Sequence, residues 1–219
     1  MSFMTQCISL ITGASRGLGA AIAEALSAQG HHIVALARTT GALEELDDRI
    51  LTRDGTCTLV PLDIKDEEAV ARMAMSISDR WGGLDLWIHC IVHAPPMSPA
   101  NMATQKDWDD SFNINVRMTQ QLIVNFDPLL EPRKGTAVHC IDDRAGQKFM
   151  AAYGASKVAQ QALFDSWATE VKPKGRRVIG FSPSPMPTAT RARFYPGEDR
   201  TTLTPCSIEA QRLIEQLKE

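Results

Sequence analysis

Short apolar runs alternate with amphipathic segments along most of the chain. The apolar runs predict buried strands at 8–11, 32–37, 56–62, 84–92, 135–141 and 176–182. Apolar residues spaced three to four apart predict helices at 17–29, 41–53, 66–81, 105–130, 150–171 and 207–217. Clustered prolines predict loops at 93–103 and 183–205. Strands and helices therefore alternate from one end of the sequence to the other.

This alternation predicts an α/β fold with about six parallel strands. Strands that are continuously apolar are buried on both faces, so helices must cover both sides of the sheet. Right-handed crossovers between parallel strands then produce a doubly wound arrangement. Ligands of such sheets bind at the carboxyl ends of the strands, and we expect the functional residues there.

Composition narrows the class of protein. The 219 residues are 44% hydrophobic with a formal net charge of -3, which predicts a single domain over 1–219 and no binding of nucleic acid. The five cysteines lack the spacing of metal ligands, which favours reduced thiols and a cytoplasmic location. His89, His93 and His139 lie without a nearby acid at ligand spacing, so no metal is expected. Neither a signal peptide nor a membrane-spanning segment is predicted.

A glycine-rich turn follows the first predicted strand. Gly13, Gly17 and Gly19 lie between that strand and the first helix. Glycines let the backbone approach a pyrophosphate, and the amino end of the helix attracts the anion. This context predicts a dinucleotide site. The alternative is a turn whose glycines serve packing alone.

Residues after the second and third strands bear on the choice of cofactor. NAD-preferring sites usually carry an acid after the second strand, but this strand ends in Arg38. Arg38 and Arg16 favour the 2′-phosphate of NADP over NAD, unless both are solvated surface charges. Asp63, after the third strand, is expected either to accept from the adenine amino group or to cap the next helix.

A second candidate group lies on the helix predicted at 150–171. Tyr153 and Lys157 are four residues apart and share one face of that helix. An ammonium beside a phenol favours the phenolate and lowers the pKa of the phenol. The pair therefore predicts a proton donor and acceptor for carbonyl–alcohol chemistry.

Together these motifs resemble the short-chain dehydrogenase/reductase family. The matching segments are Thr12–Gly19 (TGASRGLG), Asp63, Asn115 and Tyr153–Lys157 (YGASK). The resemblance implies a Rossmann fold, hydride transfer between NADP(H) and a carbonyl or alcohol substrate, and a catalytic Asn–Ser–Tyr–Lys set. It implies that Tyr153 is the acid/base, that Lys157 holds the nicotinamide ribose and tunes Tyr153, and that Asn115 places a water. The cofactor residues that it implies are Gly13, Ser15, Arg16, Gly17, Leu18, Gly19, Arg38, Asp63, Cys90, Lys157 and Pro183.

The sequence departs from the family pattern at the site itself. Where the family has Asn-Asn-Ala-Gly, this sequence has His89-Cys90-Ile91-Val92. The branched side chains of Ile91 and Val92 are expected to narrow the path of the cofactor. The family's catalytic serine aligns with Asp143, or, without a gap, with Cys140 in the fifth strand. An ionised Asp143 cannot donate a hydrogen bond and would raise the pKa of Tyr153, whereas a protonated one could replace the serine.

Further departures concern the end of the chain. The family's Pro-Gly reads Pro183-Ser184, and 183–205 is expected to be the substrate-side loop. The family's last strand is not found after the final helix, so a full tetramer is not expected. A homodimer through 105–130 and 150–171 remains open, and the alternative is a monomer. Two functions remain open: an NADP-dependent oxidoreductase, or a degenerate member that binds a nucleotide or a protein without catalysis.

Overall fold

The computed structural model describes residues 6–218 and contains a six-stranded parallel sheet. The strands are β1 (Ile8–Thr12), β2 (His32–Ala37), β3 (Thr56–Pro61), β4 (Leu86–His89), β5 (Thr136–Cys140) and β6 (Arg177–Phe181). Their order in the sheet is β3-β2-β1-β4-β5-β6. The chain reverses its direction of winding between β1 and β4, and a crevice for ligands opens at such a point. The predicted doubly wound fold is confirmed.

Within the described part of the chain, eight α-helices connect and cover the strands. They are α1 (Gly17–Ser27), α2 (Thr40–Leu51), α3 (Glu67–Trp81), α4 (Gln105–Phe112), α5 (Met118–Leu130), α6 (Ala151–Val171), α7 (Ala189–Phe194) and α8 (Cys206–Leu217). Among residues 6–218, no helix combines the length and the apolar composition that crossing a bilayer requires.

The core lies on both faces of the sheet. One apolar cluster joins the sheet to α3, α5 and α6, and its centre is Trp87 on β4 against Phe126 and Phe164. The other joins the sheet to α1, α2 and α8. Adjacent strand residues such as Leu10 and Ile11 belong to opposite clusters. This alternation of side-chain direction explains why the strands read as unbroken apolar runs.

The predicted helix 105–130 is wrong in one respect, because it is not continuous. A π-helical turn at Asn113–Arg117 separates α4 from α5. Such a turn contains an extra residue, which redirects side chains, and it is common at functional sites. It brings the Asn115 side chain onto the loop after β4. The amide accepts from His93 N at 2.7 Å and donates to His93 O at 3.0 Å.

The loop predicted at 183–205 also contains ordered structure. α7 begins where the Thr188 hydroxyl accepts from Arg191 N at 3.2 Å, which caps the first turn. A short 3₁₀ turn follows at Arg200–Thr202. Proline content predicted an irregular segment here, but capping and the burial of Phe194 stabilise one short helix within it.

Candidate active site

A cleft of about 640 Å³ opens at the carboxyl ends of the strands. This volume is in the range of small-molecule sites, about 300–1,000 Å³. Every residue that the sequence predicted for cofactor binding lines the cleft, as do Tyr153, Asp142 and the segment 183–191. Asn115 and Asp143 are not among the lining residues. The fold thus brings residues from the ends of all six strands and from α1, α2, α6 and α7 to one place.

The glycine turn forms the floor of the cleft at β1. Gly13 has a φ of +87° and packs so closely on Cys90 that an added Cβ would lie 3.0 Å from the Cys90 carbonyl carbon. At Gly19, an added Cβ would lie 2.3 Å from the Gly13 oxygen. Neither position tolerates a side chain. The amino end of α1 has no side-chain cap, so its free N–H groups face the cleft as an anion site.

The arginines at the mouth of the cleft are exposed. The ion pairs formed within residues 6–218 include neither Arg16 nor Arg38. Both line the cleft and are free to meet a phosphate. Asp66, and not Asp63, caps α3 by accepting from Ala69 N at 2.9 Å. The capping alternative for Asp63 is therefore wrong, and its carboxylate lines the cleft.

Ile91 and Val92, which stand where the family has small residues, are accommodated by packing. Ile91 packs against the apolar cluster of α3, α5 and α6, whereas Val92 packs against Tyr153 and Phe194. Both still line the cleft. The cleft thus remains open beside these branched side chains.

Tyr153 meets Asp142 rather than the predicted Asp143. The Tyr153 hydroxyl donates to Asp142 Oδ2 at 2.7 Å, and Arg144 Nε donates to Asp142 Oδ1 at 2.8 Å. Asp143 is exposed. The prediction that Asp143 lies beside Tyr153 is wrong by one residue, because the bonds from Tyr153 and Arg144 hold Asp142 in that position. Cys140 ends β5, and its thiol lies deeper in the cleft beside Cys90.

The pKa of Tyr153 is raised above its ordinary value. Burial is the largest cause, followed by the charge of the Asp142 carboxylate and the hydrogen bond to it. The phenol proton is held by Asp142. Lys157 is not among the groups that shift this pKa, and the acid that raises it is Asp142 rather than the expected Asp143.

Lys157 is held by groups beneath the cleft. Its Nζ donates to the Cys140 carbonyl oxygen at 3.0 Å and to the Gln160 side chain. Burial lowers the pKa of Lys157. Gln160 in turn donates to Thr119 Oγ1 at 3.0 Å, and Thr119 lies 3.2 Å from His89 Nε2. A buried polar chain therefore runs from Lys157 to β4.

Sequence reasoning missed Asp142, Gln160 and Thr188 as parts of the site. Gln160 follows Lys157 by three residues on the same helix, and this spacing could have indicated it. Thr188 lines the cleft, and its methyl would lie 3.5 Å from a Cβ at Gly17. Nothing in the local sequence connects Thr188 with that turn, since they are distant along the chain.

The segment after β6 closes the other side of the cleft. Arg191 makes a two-bond ion pair with Glu198, at 2.6 Å for each bond. Arg193 donates to the Ala94 carbonyl oxygen at 2.6 Å. These contacts tie α7 to its own loop and to the segment after β4. Within residues 6–218, no group of three or more potential ligands is placed to hold a metal ion.

Comparison with known proteins places this arrangement in a family. A family model described as short chain dehydrogenase matches residues 8–199. The NADPH-dependent pterin aldehyde reductase of Arabidopsis thaliana is 31% identical over 182 residues, which are 82% of this chain and 74% of that protein.

Solved structures agree with the match. A short chain dehydrogenase from Shigella flexneri, complexed with NADP, superposes with a TM-score of 0.84 at 25% identity, over 93% of this chain and 89% of that one. A metagenomic short-chain oxidoreductase in complex with NADP shares the fold with a TM-score of 0.82 at 23% identity, over 97% and 90%. The chain belongs to the short-chain dehydrogenase/reductase family.

Proposed function

We propose that this protein is an NADP(H)-dependent oxidoreductase that acts on a small carbonyl or alcohol substrate, with turnover limited by Asp142. The observation that carries the proposal is the cleft, in which a glycine-floored anion site and Tyr153 line one volume. The NADP complexes of similar structures and the pterin aldehyde reductase of Arabidopsis thaliana support the same chemistry.

The residues at β1 and β2 fit the cofactor. Gly13 and Gly19 leave room where any side chain would collide, and the uncapped α1 offers N–H groups to a pyrophosphate. Arg38 would meet the 2′-phosphate, and Asp63 the adenine. Ser15, Arg16, Gly17 and Leu18 would contact the phosphates, while Cys90, Lys157 and Pro183 would contact the nicotinamide side of the cofactor.

In the reaction, Tyr153 would give its proton to the substrate oxygen or take one from it. NADPH, when bound, supplies the hydride. Before Tyr153 can act, its hydroxyl must leave Asp142 Oδ2. Lys157 must likewise exchange the Gln160 oxygen for a partner in the cleft. Asn115, fixed on the His93 backbone, would keep the wall beside Tyr153 in place.

The cofactor preference is tested by titration calorimetry with NADPH and with NADH. We expect micromolar binding of NADPH and weaker binding of NADH. Arg38→Ala removes a charge-assisted bond to the 2′-phosphate. A bond to a charged group contributes roughly 1.5–3 kcal/mol, so we expect NADPH binding to weaken about ten- to a hundredfold. NADH binding should be unchanged in that variant.

Arg53→Ala is the matched control, because Arg53 is exposed on the surface and pairs with Glu24 outside the cleft. It should bind both nucleotides as the unmodified protein does. Equal affinity for NADPH and NADH would overturn the assignment of NADP. No binding of either nucleotide would overturn the oxidoreductase proposal itself.

A second candidate is a nucleotide-binding protein without turnover. It is favoured by the bonds that hold Tyr153 to Asp142 and Lys157 to Gln160, since both engage the family's catalytic groups with partners within the protein. NADPH binding combined with no activity on a panel of aldehydes and ketones would support it. Activity that Tyr153→Phe abolishes would support the enzyme.

The proposal includes a cytoplasmic homodimer. Apolar side chains stay exposed on the segment 105–130 and on α6: Phe112 at 37%, Val124 at 54% and Val158 at 53%. A second copy would cover them. Light scattering after gel filtration should give twice the 24.0 kDa mass of one chain. Val124→Glu and Val158→Glu together should give the monomer mass, and a monomer in the unmodified protein would contradict the dimer.

A further inference from the structure

Two thiols face each other on the floor of the cleft. Cys90 Sγ and Cys140 Sγ are 3.8 Å apart. Cys90 directly follows β4, and Cys140 ends β5. The two strands pair in parallel with His89 opposite His139, so the next residue along each strand brings the cysteines side by side. Both line the cleft.

The backbone geometry admits a bond between them. Neighbouring strands lie about 4.7–4.9 Å apart, and disulfides span Cα separations of about 4.4–6.8 Å. The sulfurs must approach from 3.8 Å to a bond length of about 2.05 Å. Side-chain rotation within the cleft supplies most of this movement, because the strand register already aligns the residues.

The surroundings make one thiol the nucleophile. The pKa of Cys140 is lowered by the hydrogen bond with Cys90 and by the charge of Lys157, against the effect of burial. The pKa of Cys90 is raised by the same hydrogen bond and by burial. A thiolate, rather than a thiol, attacks disulfides. Lys157 Nζ also donates to the Cys140 carbonyl oxygen at 3.0 Å, which places a positive charge beside this residue. Cys140 is therefore suited to attack first and Cys90 to resolve.

We propose that Cys90 and Cys140 form a reversible disulfide, a redox modification site in the floor of the cofactor cleft. The oxidant is a small disulfide. The Cys140 thiolate attacks one of its sulfurs, the oxidant's S–S bond breaks, and the first small thiol leaves and takes up a proton.

Cys90 then loses its proton to solvent and attacks the Cys140 sulfur, which displaces the second small thiol. Two protein thiols are oxidised, and one disulfide is reduced to two thiols. The bond would pull the Cys90 backbone, which packs against Gly13, and the Cys140 carbonyl, which holds Lys157. Oxidation should therefore weaken NADPH binding.

The test exposes the whole protein to 2-hydroxyethyl disulfide and maps its cysteines by mass spectrometry. We expect a mass loss of two hydrogens and a peptide cross-link between Cys90 and Cys140, both reversed by dithiothreitol. Cys57→Ser is the matched control, because Cys57 lies on β3 and burial raises the pKa of its thiol to about 12. That variant should form the same cross-link.

Cys90→Ser should stop at a mixed disulfide on Cys140, and Cys140→Ser should show no cross-link. The proposal is overturned if the oxidised protein carries mixed disulfides alone, or cross-links through Cys7 or Cys206. NADPH titration of the oxidised protein is a separate measurement, with at least a tenfold loss of affinity expected. The mass readout stands whether or not the protein binds NADPH, so it separates this inference from the proposed function.

Discussion

Asp142→Ser is expected to raise the rate of carbonyl reduction about a hundredfold. A serine hydroxyl donates to a developing oxyanion, and one such donor contributes roughly 3 kcal/mol of transition-state stabilisation. Asp142 withholds that donor and also engages the Tyr153 hydroxyl at 2.7 Å. The substitution therefore adds one hydrogen-bond donor and frees another. Steady-state rates with NADPH and a panel of small aldehydes would measure the gain.

The same variant should change the pH profile of the reverse reaction. Alcohol oxidation needs a deprotonated Tyr153, so its rate rises with pH until that phenol has ionised. Asp142 raises the pKa of Tyr153 through its charge and its hydrogen bond. Asp142→Ser removes both causes. The rising limb of the oxidation profile should therefore move to lower pH.

Asp143→Ser is the matched control for both measurements. The neighbouring carboxylate is exposed and does not line the cleft, so its removal should leave the rate and the pH profile unchanged. If both serine variants behave like the unmodified protein, Asp142 does not limit the reaction. If Asp143→Ser alone gains activity, the assignment of the serine position to Asp142 is wrong.

The second large effect concerns stability in acid. His89 is 2% exposed and accepts or donates hydrogen bonds with Thr12 Oγ1 at 3.0 Å and Thr119 Oγ1 at 3.2 Å. Burial and the charge of Lys157 lower the pKa of His89 to about 3. The same two causes lower the pKa of His139, stacked on Phe164, to about 4. The fold thus keeps both rings neutral.

The free energy of unfolding must therefore fall as the pH falls. The unfolded chain protonates these histidines near pH 6.5, whereas the folded protein does so near pH 3 and 4. Between pH 6.5 and about 4 the unfolded state binds more protons than the folded state. Each histidine then lowers the free energy of unfolding by up to about 1.4 kcal/mol per pH unit as the pH falls. Below about pH 4, His89 alone continues the loss.

His89→Asn should reduce the pH dependence of the free energy of unfolding by the contribution of one histidine. Urea unfolding at pH 7 and pH 5 would show it as a difference of up to about 2 kcal/mol in the pH-dependent loss. The comparison between the variant and the unmodified protein uses the change in unfolding free energy from pH 7 to pH 5. It does not use the absolute values, because the variant also alters packing at pH 7. His93→Asn is the control, since that half-buried loop histidine contributes less. An unaltered slope in His89→Asn would show that His89 titrates normally in the folded protein.

Local patterns in the sequence were sufficient for much of the fold. The strand and helix order follows from the period of apolar residues, which each segment carries by itself. The glycine turn could also be recognised, because an added Cβ at Gly13 or Gly19 would collide with neighbouring backbone atoms. Tyr153 and Lys157 were recognised because helical spacing places them on one face.

Contacts between distant segments were decided by the tertiary structure alone. Whether Asp142 or Asp143 faces Tyr153 depends on how the segment after β5 lies against α6, and the local sequence does not determine this. The π turn at Asn115 forms because the loop after β4 offers it two hydrogen bonds. Cys90 and Cys140 meet through strand pairing, which no spacing along the chain encodes. Short-range periodicity thus determines the elements, whereas the hydrogen-bond partners of the site depend on how those elements pack.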